Sequence, residues 1–236
     1  IGPVTVLEVT IRLTAMAGLY KVDAEAETRG WLAWLLPWQA EAAAEGFLGA
    51  QGTVLPIRFR QGARWREVWR REGLSFDDSG TIQVETDPPD PAEERELVSG
   101  EQAAGTIDPV SALIAIGGNV ANGRGCGEPT PTFDGRRRFD LLPEDLGTDP
   151  IPGGWWTAYA GSARLCRLSF KTLGGRWHGA ERARFWQTDP GRPERPPVDI
   201  WYASLRHSEV PVPVRIESGS MLGMVSIYLA KVTEEP

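Results

Sequence analysis

The chain holds two histidines, His178 and His207, and histidine is the side chain best suited to acid–base or metal chemistry near neutral pH. Neither has partners at a spacing that builds a triad or a ligand set. His207 stands between Arg206 and Glu209 at the end of an expected strand, the setting of a solvated turn residue, while His178 follows Trp177 and would suit the wall of a pocket. Cys126 and Cys166 fit either one disulfide or a pair of buried thiols, and neither lies in a C-x-x-C that would serve redox catalysis or structural zinc. A bridge closing about 40 residues would stabilise the fold by roughly 4 kcal/mol in the chain-entropy model.

Other chemical signatures are missing. The sequence contains no H-E-x-x-H, no G-x-S-x-G, no P-loop, and no G-x-G-x-x-G between a strand and a helix. Gly123, Gly125 and Gly127 form a G-x-G-x-G, but it follows a helical run and contains Cys126, so it reads as a flexible loop rather than a phosphate cradle. Arg136, Arg137 and Arg138 could meet an anionic head group; the simpler reading leaves alternate arginines in water, the middle one paired with a carboxylate across a sheet. Asp77-Asp78 and Asp87–Glu94 read as solvated turns and loops. No catalytic residue, cofactor site or metal site is assigned.

Ten tryptophans are many for 236 residues, and most are expected to fill core. Trp31, Trp34 and Trp38 in Gly30–Trp38 share one face if that segment is a helical turn. Buried, they are ordinary core, the expected case because loose apolar patches are rare on soluble monomers. Exposed, they would make a tip for a membrane interface or a partner. Trp155 and Trp156, on adjacent strand positions, are expected to point to opposite faces, one buried and the other covered by helix, ligand or partner.

The scaffold for these residues is written mostly in period two. Leu7–Ala15 and Tyr20–Ala26 alternate apolar and polar residues and predict an antiparallel hairpin. Ala40, Ala42 and Ala44 mark a strand lying close to another backbone. Leu55, Ile57 and Phe59 form the next strand; Gln61-Gly62 is expected to turn it into Arg64–Phe76, with Ile82 and Val84 closing the group. Thr86–Gln102 is acidic, proline-rich and expected to be a surface loop.

Thr106–Gly118 predicts one short helix over about 108–117. Asp108 stands at the N-cap, Pro109 at the first helical position, and Gly117-Gly118 at the stop. Its apolar run has no wet side, so strands must wrap it. Asp134-Gly135 predicts a hairpin turn between Thr130–Phe133 and Arg136–Leu141. Further strands are expected at Trp155–Ala160, Ala163–Phe170, Arg176–Gln187, Val198–Leu205, Val210–Ile216 and Leu222–Val232. Pro211 and Pro213 make the fifth of these an edge or rim.

A hydrophobic content of 41% excludes wholesale disorder, and a net charge of −7 disfavours nucleic acid as a partner. No apolar run approaches the roughly 20 residues of a membrane-spanning helix. The opening Ile1, with no methionine and no basic-then-apolar leader, is expected to follow a removed segment. The predicted fold is one all-β domain over 1–236: a single large, strongly curved antiparallel sheet, spiralled or part-closed into a barrel around one short buried helix.

Several fragments in order are similar to one family. They are TRGWLAWL…PW, VLPIRF, DPVSALIA, TFDGRRRFDL, YAGSARLCRLSF and DIWYA…VPVRIE…LGMVSIYL. Together they resemble bacterial exported proteins of domain-of-unknown-function family 3108. The resemblance implies a periplasmic or lipoprotein-like protein of Gram-negative cell envelopes, built as a long curled antiparallel sheet. Asp108 and Ser111 match the family's helix start, and Asp134-Gly135 its hairpin. Cys126 and Cys166 match its cysteine positions, which in an oxidising periplasm implies a disulfide. No activity comes with the resemblance.

The expected function is therefore non-enzymatic: a periplasmic protein binding a hydrophobic or lipid-like ligand in the sheet concavity, with Trp31, Trp34, Trp38, Trp155 and Trp156 as candidate contacts. The alternatives are a structural adaptor docking an envelope protein and, third, a hydrolase acting on an envelope polymer.

Overall fold

A computed structural model describes residues 5–16, 18–49, 52–65, 67–77, 79–89, 96–176, 196–205, 208, 210–220 and 223–233. His178 and His207 lie outside the described residues, as does the strand expected over Arg176–Gln187 apart from its first residue.

Among the described residues strands dominate, arranged as two six-stranded antiparallel meanders rather than one large sheet. The first runs in chain order through β1 (Leu7–Met16), β2 (Leu19–Thr28), β3 (Trp38–Leu48), β4 (Val54–Trp65), β5 (Val68–Phe76) and β6 (Ile82–Asp87). The second runs through β7 (Thr130–Phe133), β8 (Arg138–Ile151), β9 (Gly161–Gly174), β10 (Val198–Ala203), β11 (Val212–Ser220) and β12 (Gly223–Tyr228). The prolines after Asp87 cannot donate to a ladder, so strand pairing ends there and a helical connection begins. That connection holds α2 (Gly100–Ala103), which overlaps the end of the expected loop, and α3 (Pro109–Ala121). Ser99 and Gln102 form a reciprocal capping box on α2.

Helix α3 lies between the sheets. On one side Val110, Ile114 and Ala115 meet Tyr20, Val22, Ala44, Val54, Phe59 and Leu74 of the first sheet. On the other, Ala112 and Ile116 join Leu141, Cys166, Leu168, Ile200 and Tyr202 of the second. Ala112 is 0% exposed and Ile116 2%. Burying an isoleucine side chain alone is worth about 1.5–3 kcal/mol.

The helix does not stop at Gly117-Gly118 but runs through them to Ala121. Both glycines are there for contact. A Cβ on Gly117 would lie 2.7 Å from the Pro211 carbonyl oxygen, and one on Gly118 would lie 2.9 Å from the Gly52 Cα. Close approach of backbone to backbone outweighs the entropic cost of glycine in a helix.

Other expected boundaries also shift. Gln61-Gly62 makes no turn; β4 passes straight through it, because Gly62 is squeezed between Glu41 and Arg71 on neighbouring strands. Trp155–Ala160 is not a strand and contributes only an isolated bridge between Gly154 and Thr157. Strand β11 is internal, flanked by β10 and β12. Its Pro213 is tolerated because the β10–β11 register slips between Trp201 and Tyr202, opposite that proline.

Candidate functional site

Asp108, Ser111 and Tyr20 make a buried polar chain at the start of α3. The Asp108 carboxylate accepts from the Val110 and Ser111 amides at 3.0 and 2.9 Å, satisfying two donors that the first helical turn leaves open. The Ser111 hydroxyl donates to the other carboxylate oxygen. Tyr20 Oη, from β2, reaches Ser111 Oγ at 2.5 Å. Since the serine proton is committed to Asp108, the tyrosine is the donor in that contact. Burial pushes the Asp108 carboxyl upward, opposed by these hydrogen bonds. Burial likewise drives the Tyr20 and Tyr202 phenols upward, so neither ionises near neutral pH. Tyr202 Oη donates to the Leu113 carbonyl at 3.2 Å, so each sheet holds the helix by one tyrosine.

The Asp134–Arg137 turn forms a second polar cluster. Asp134 accepts from the Arg136 and Arg137 amides and from the Arg137 side chain. Its carbonyl accepts from Gln61 Nε2 at 2.9 Å, which brings the β7–β8 turn onto the first sheet. Arg136 is not in water: it pairs with Glu72 of β5, both side chains only 9% exposed. Burial raises the Glu72 carboxyl and the Arg136 charge opposes that. Arg137 pairs with its own turn residue, not across a sheet, and Arg138 with Asp140. Gly135, at φ 93°, takes a conformation costly for other residues, and its backbone lies against Glu72.

Cys126 and Cys166 are bonded to each other, 40 residues apart in sequence, and tie the loop after α3 to β9 within the buried core. Among the described residues no cluster of histidine, cysteine and carboxylate side chains could hold a metal ion. The Asp108 and Asp134 carboxylates are both engaged within the fold, by the start of α3 and by the β7–β8 turn.

The open feature is apolar. Successive residues of a strand point to opposite faces. Val22 and Ala44 are core, so the register places Leu7, Val9, Ile11 and Leu13 of β1, Ala24 and Ala26 of β2, and Ala40 and Ala42 of β3 on the same face as that core. Helix α3 covers the Val22–Ala44–Phe59 end, and the β7–β8 turn covers Gln61 and Glu72. Among the described residues nothing is packed over the remainder. Ile11 is 54% exposed and Leu13 38%, and Ala24, Ala26, Ala40 and Ala42 are half-buried. Four alanines make a shallow floor beside a wall of branched side chains.

This floor ends at Thr28 and Trp38, which also line a hollow of about 330 Å³ with Glu27, Arg29, Gly30, Ala33, Pro37, Gln39 and Arg64. Helix α1 (Gly30–Leu35) contributes Gly30 and Ala33 to that lining. Thr28 Oγ1 donates to the Leu36 carbonyl at 2.9 Å and accepts from the Trp38 amide at 3.1 Å, fixing the exit of the helical turn.

Trp31 and Trp34 are not core. They are 57% and 87% exposed, because α1 contributes no buried residue. Trp38 is half-buried. Trp155 is 79% exposed and Trp156 half-buried, their rings edge-to-face at 5.7 Å in a turn rather than on opposite faces of a strand. The structure thus puts Trp38 at the end of the apolar floor, leaves Trp31 and Trp34 exposed on α1, and leaves Trp155 and Trp156 on the connection between β8 and β9. Sequence reasoning missed Tyr20, Glu72 and Tyr202; the only local signal was a polar or phenolic residue on an otherwise dry face.

The family model for Protein of unknown function (DUF3108) matches residues 3–230. The chain belongs to the DUF3108 family. Among solved structures, this DUF3108 chain is similar to a β-barrel-like protein of domain of unknown function DUF1849 from Brucella abortus. The TM-score is 0.52 at 11% identity, over 92% of this chain and 82% of that one, a likeness of fold alone. Comparison with curated proteins finds no match.

Proposed function

We propose that this DUF3108 chain is a non-enzymatic envelope protein that holds a hydrophobic, lipid-like ligand along the uncovered apolar face of β1, β2 and β3. The observation that carries this reading is the exposure of Ile11 and Leu13 on the face whose other end is core. Water there is poorly matched, and covering such surface is worth about 25 cal/mol per Å². Alanines at Ala24, Ala26, Ala40 and Ala42 leave depth for an acyl chain that larger residues would fill. The hollow at Thr28 and Trp38, bordered by Arg29 and Arg64, offers a polar end for a head group. The Cys126–Cys166 bond suits an oxidising compartment, which supports placement in the periplasm.

The decisive test is mass spectrometry of organic extracts from natively purified protein, paired with displacement of a fluorescent fatty acid. A lipid should be recovered from the wild type, and Ala42→Trp should abolish probe binding while leaving the thermal transition intact. An extract without lipid, with no probe binding, would overturn the ligand reading.

The adaptor reading rests on a different observation, the 57% and 87% exposure of Trp31 and Trp34 beside Leu35 at 58%. In-cell photocrosslinking from position 34 would return a discrete protein partner in that case. A hydrolase reading would be supported by a cleft holding two accessible carboxylates or a histidine with a carboxylate; Asp108 and Glu72, the carboxyls raised by burial, are both engaged inside the fold.

A further inference from the structure

Among the described residues, the β1 edge of the first sheet is unlike the other three sheet edges. Strand β6 has 6 residues and ends at the Asp87-Pro88 bond, β7 has 4 and contains Pro131, and β12 has 6. Strand β1 has 10 residues, no proline, and an unbroken register with β2. Long, regular edges of this kind are templates for another strand, and proteins normally guard them.

The sequence of β1 states which strand fits. The Arg29 amide donates to the Val6 carbonyl, which makes Val6 and Arg29 a hydrogen-bonded pair. Bonded and non-bonded pairs alternate along an antiparallel ladder. Hence Glu8, Thr10, Arg12 and Thr14 spend their backbone groups on β2. Leu7, Val9, Ile11, Leu13 and Ala15 point theirs outward.

A second β1, antiparallel about a two-fold axis through Thr10, sets Val9 against Ile11 of the partner subunit and Leu7 against Leu13 of the partner subunit. All four have outward backbone groups, so these are the hydrogen-bonded pairs. Glu8 then falls opposite Arg12 of the partner subunit, twice by symmetry. Shifting the pairing by two residues one way puts Glu8 and Arg12 opposite threonines, and the other way puts Glu8 opposite Thr10 and Arg12 opposite Val6. Shifting by four sets Glu8 against Glu8 or Arg12 against Arg12. One register therefore satisfies backbone, face and charge together.

Both charged residues have room for it. Glu8 already bonds Arg29 and Arg12 lies 3.6 Å from Glu25, yet their side chains stay 54% and 60% exposed. Ile11 and Leu13, exposed in one copy, gain cross-strand neighbours on the apolar face.

We propose that β1 is a homodimerisation edge, joining two first sheets into one twelve-stranded sheet in the register Glu8–Arg12. This is independent of any ligand: the contact is made by the strand edge, and lipid-free protein tests it.

Thr10 sits on the axis as a non-hydrogen-bonded pair, with Cα atoms about 4.5 Å apart, within the range a disulfide spans. Mild oxidation of Thr10→Cys should give a covalent dimer on non-reducing gels, whereas Thr14→Cys, far from its own copy, should remain monomeric. Light scattering should show wild type as a dimer, with Glu8→Arg and Arg12→Glu each shifted to monomer. Mixing those two variants should restore a heterodimer, because each supplies the sign the other lacks. Monomeric wild type throughout, or a dimer insensitive to both charge reversals and without a Thr10→Cys crosslink, would overturn the proposal.

Discussion

Tyr20 Oη and Ser111 Oγ meet at 2.5 Å across 91 residues of chain, joining the second strand of one sheet to the first turn of the helix between both. The contact is buried. Tyr20→Phe keeps the ring and removes the donor, so the loss falls on the hydrogen bond alone. The expected cost is about 1–2 kcal/mol, read as a lower urea midpoint with an unchanged slope. An equal slope matters because a changed one would signal altered compactness instead.

Asp108 gives that network a pH dependence whose sign can be stated. Burial raises its folded-state pKa above the unfolded value, so the native state binds the proton more tightly. Its contribution is then fully present below the ordinary carboxylate pKa of about 4 and is lost as pH rises through the folded value. Asp108→Asn keeps one oxygen for the Val110 and Ser111 amides and cannot titrate. The stability difference, Asn variant minus wild type, should increase with pH across this window in urea titrations. A difference independent of pH would rule out this assignment.

At Gly118 helix propensity and packing make opposite demands. Alanine is favoured over glycine by about 1 kcal/mol inside a helix. The new methyl, however, would sit 2.9 Å from the Gly52 Cα, and backbone cannot rotate away as a side chain can. Gly118→Ala should therefore destabilise, by about 1–3 kcal/mol, measured by thermal or urea unfolding. Gly123→Ala meets no neighbouring atom, so its cost should reflect its φ of 69° rather than a clash.

What was legible in the sequence was local. Alternation in Leu7–Ala15 and Tyr20–Ala26 specified β1 and β2, and the apolar run after Pro109 specified a helix without a wet face. Gly117-Gly118 misled because glycine serves both helix ends and helix contacts, and only the packing of Pro211 and Gly52 tells which. The division into two sheets was hidden for a similar reason. Period two reports that a strand has a dry face, not which other strand's dry face it meets. Trp31 and Trp34 looked like core because an indole buries well, but the six-residue α1 at a sheet end has no fully buried residue. The uncovered floor was written as Ala24, Ala26, Ala40 and Ala42, yet its openness depends on where α3 and the β7–β8 turn stop.

Glu72 and Arg136 join that turn to the first sheet. They form a pair in which each side chain is 9% exposed, beside the Gln61–Asp134 hydrogen bond. Removing one partner from a buried pair strands the other charge, at about 3–5 kcal/mol. Arg136→Met should show a loss of that size at neutral pH, and Glu72→Gln a similar one. Glu72→Met with Arg136→Met buries no charge, so much of the loss should be recovered in the double variant. If the pair only adds stability, probe binding on the β1–β3 face will be unchanged in the double variant. If it also holds the turn at the edge of the apolar floor, Arg136→Met will change the affinity of the fluorescent fatty acid as well as the urea midpoint. Additive single losses in the double-mutant cycle would mean that the two side chains act separately, and the pair would not be the latch.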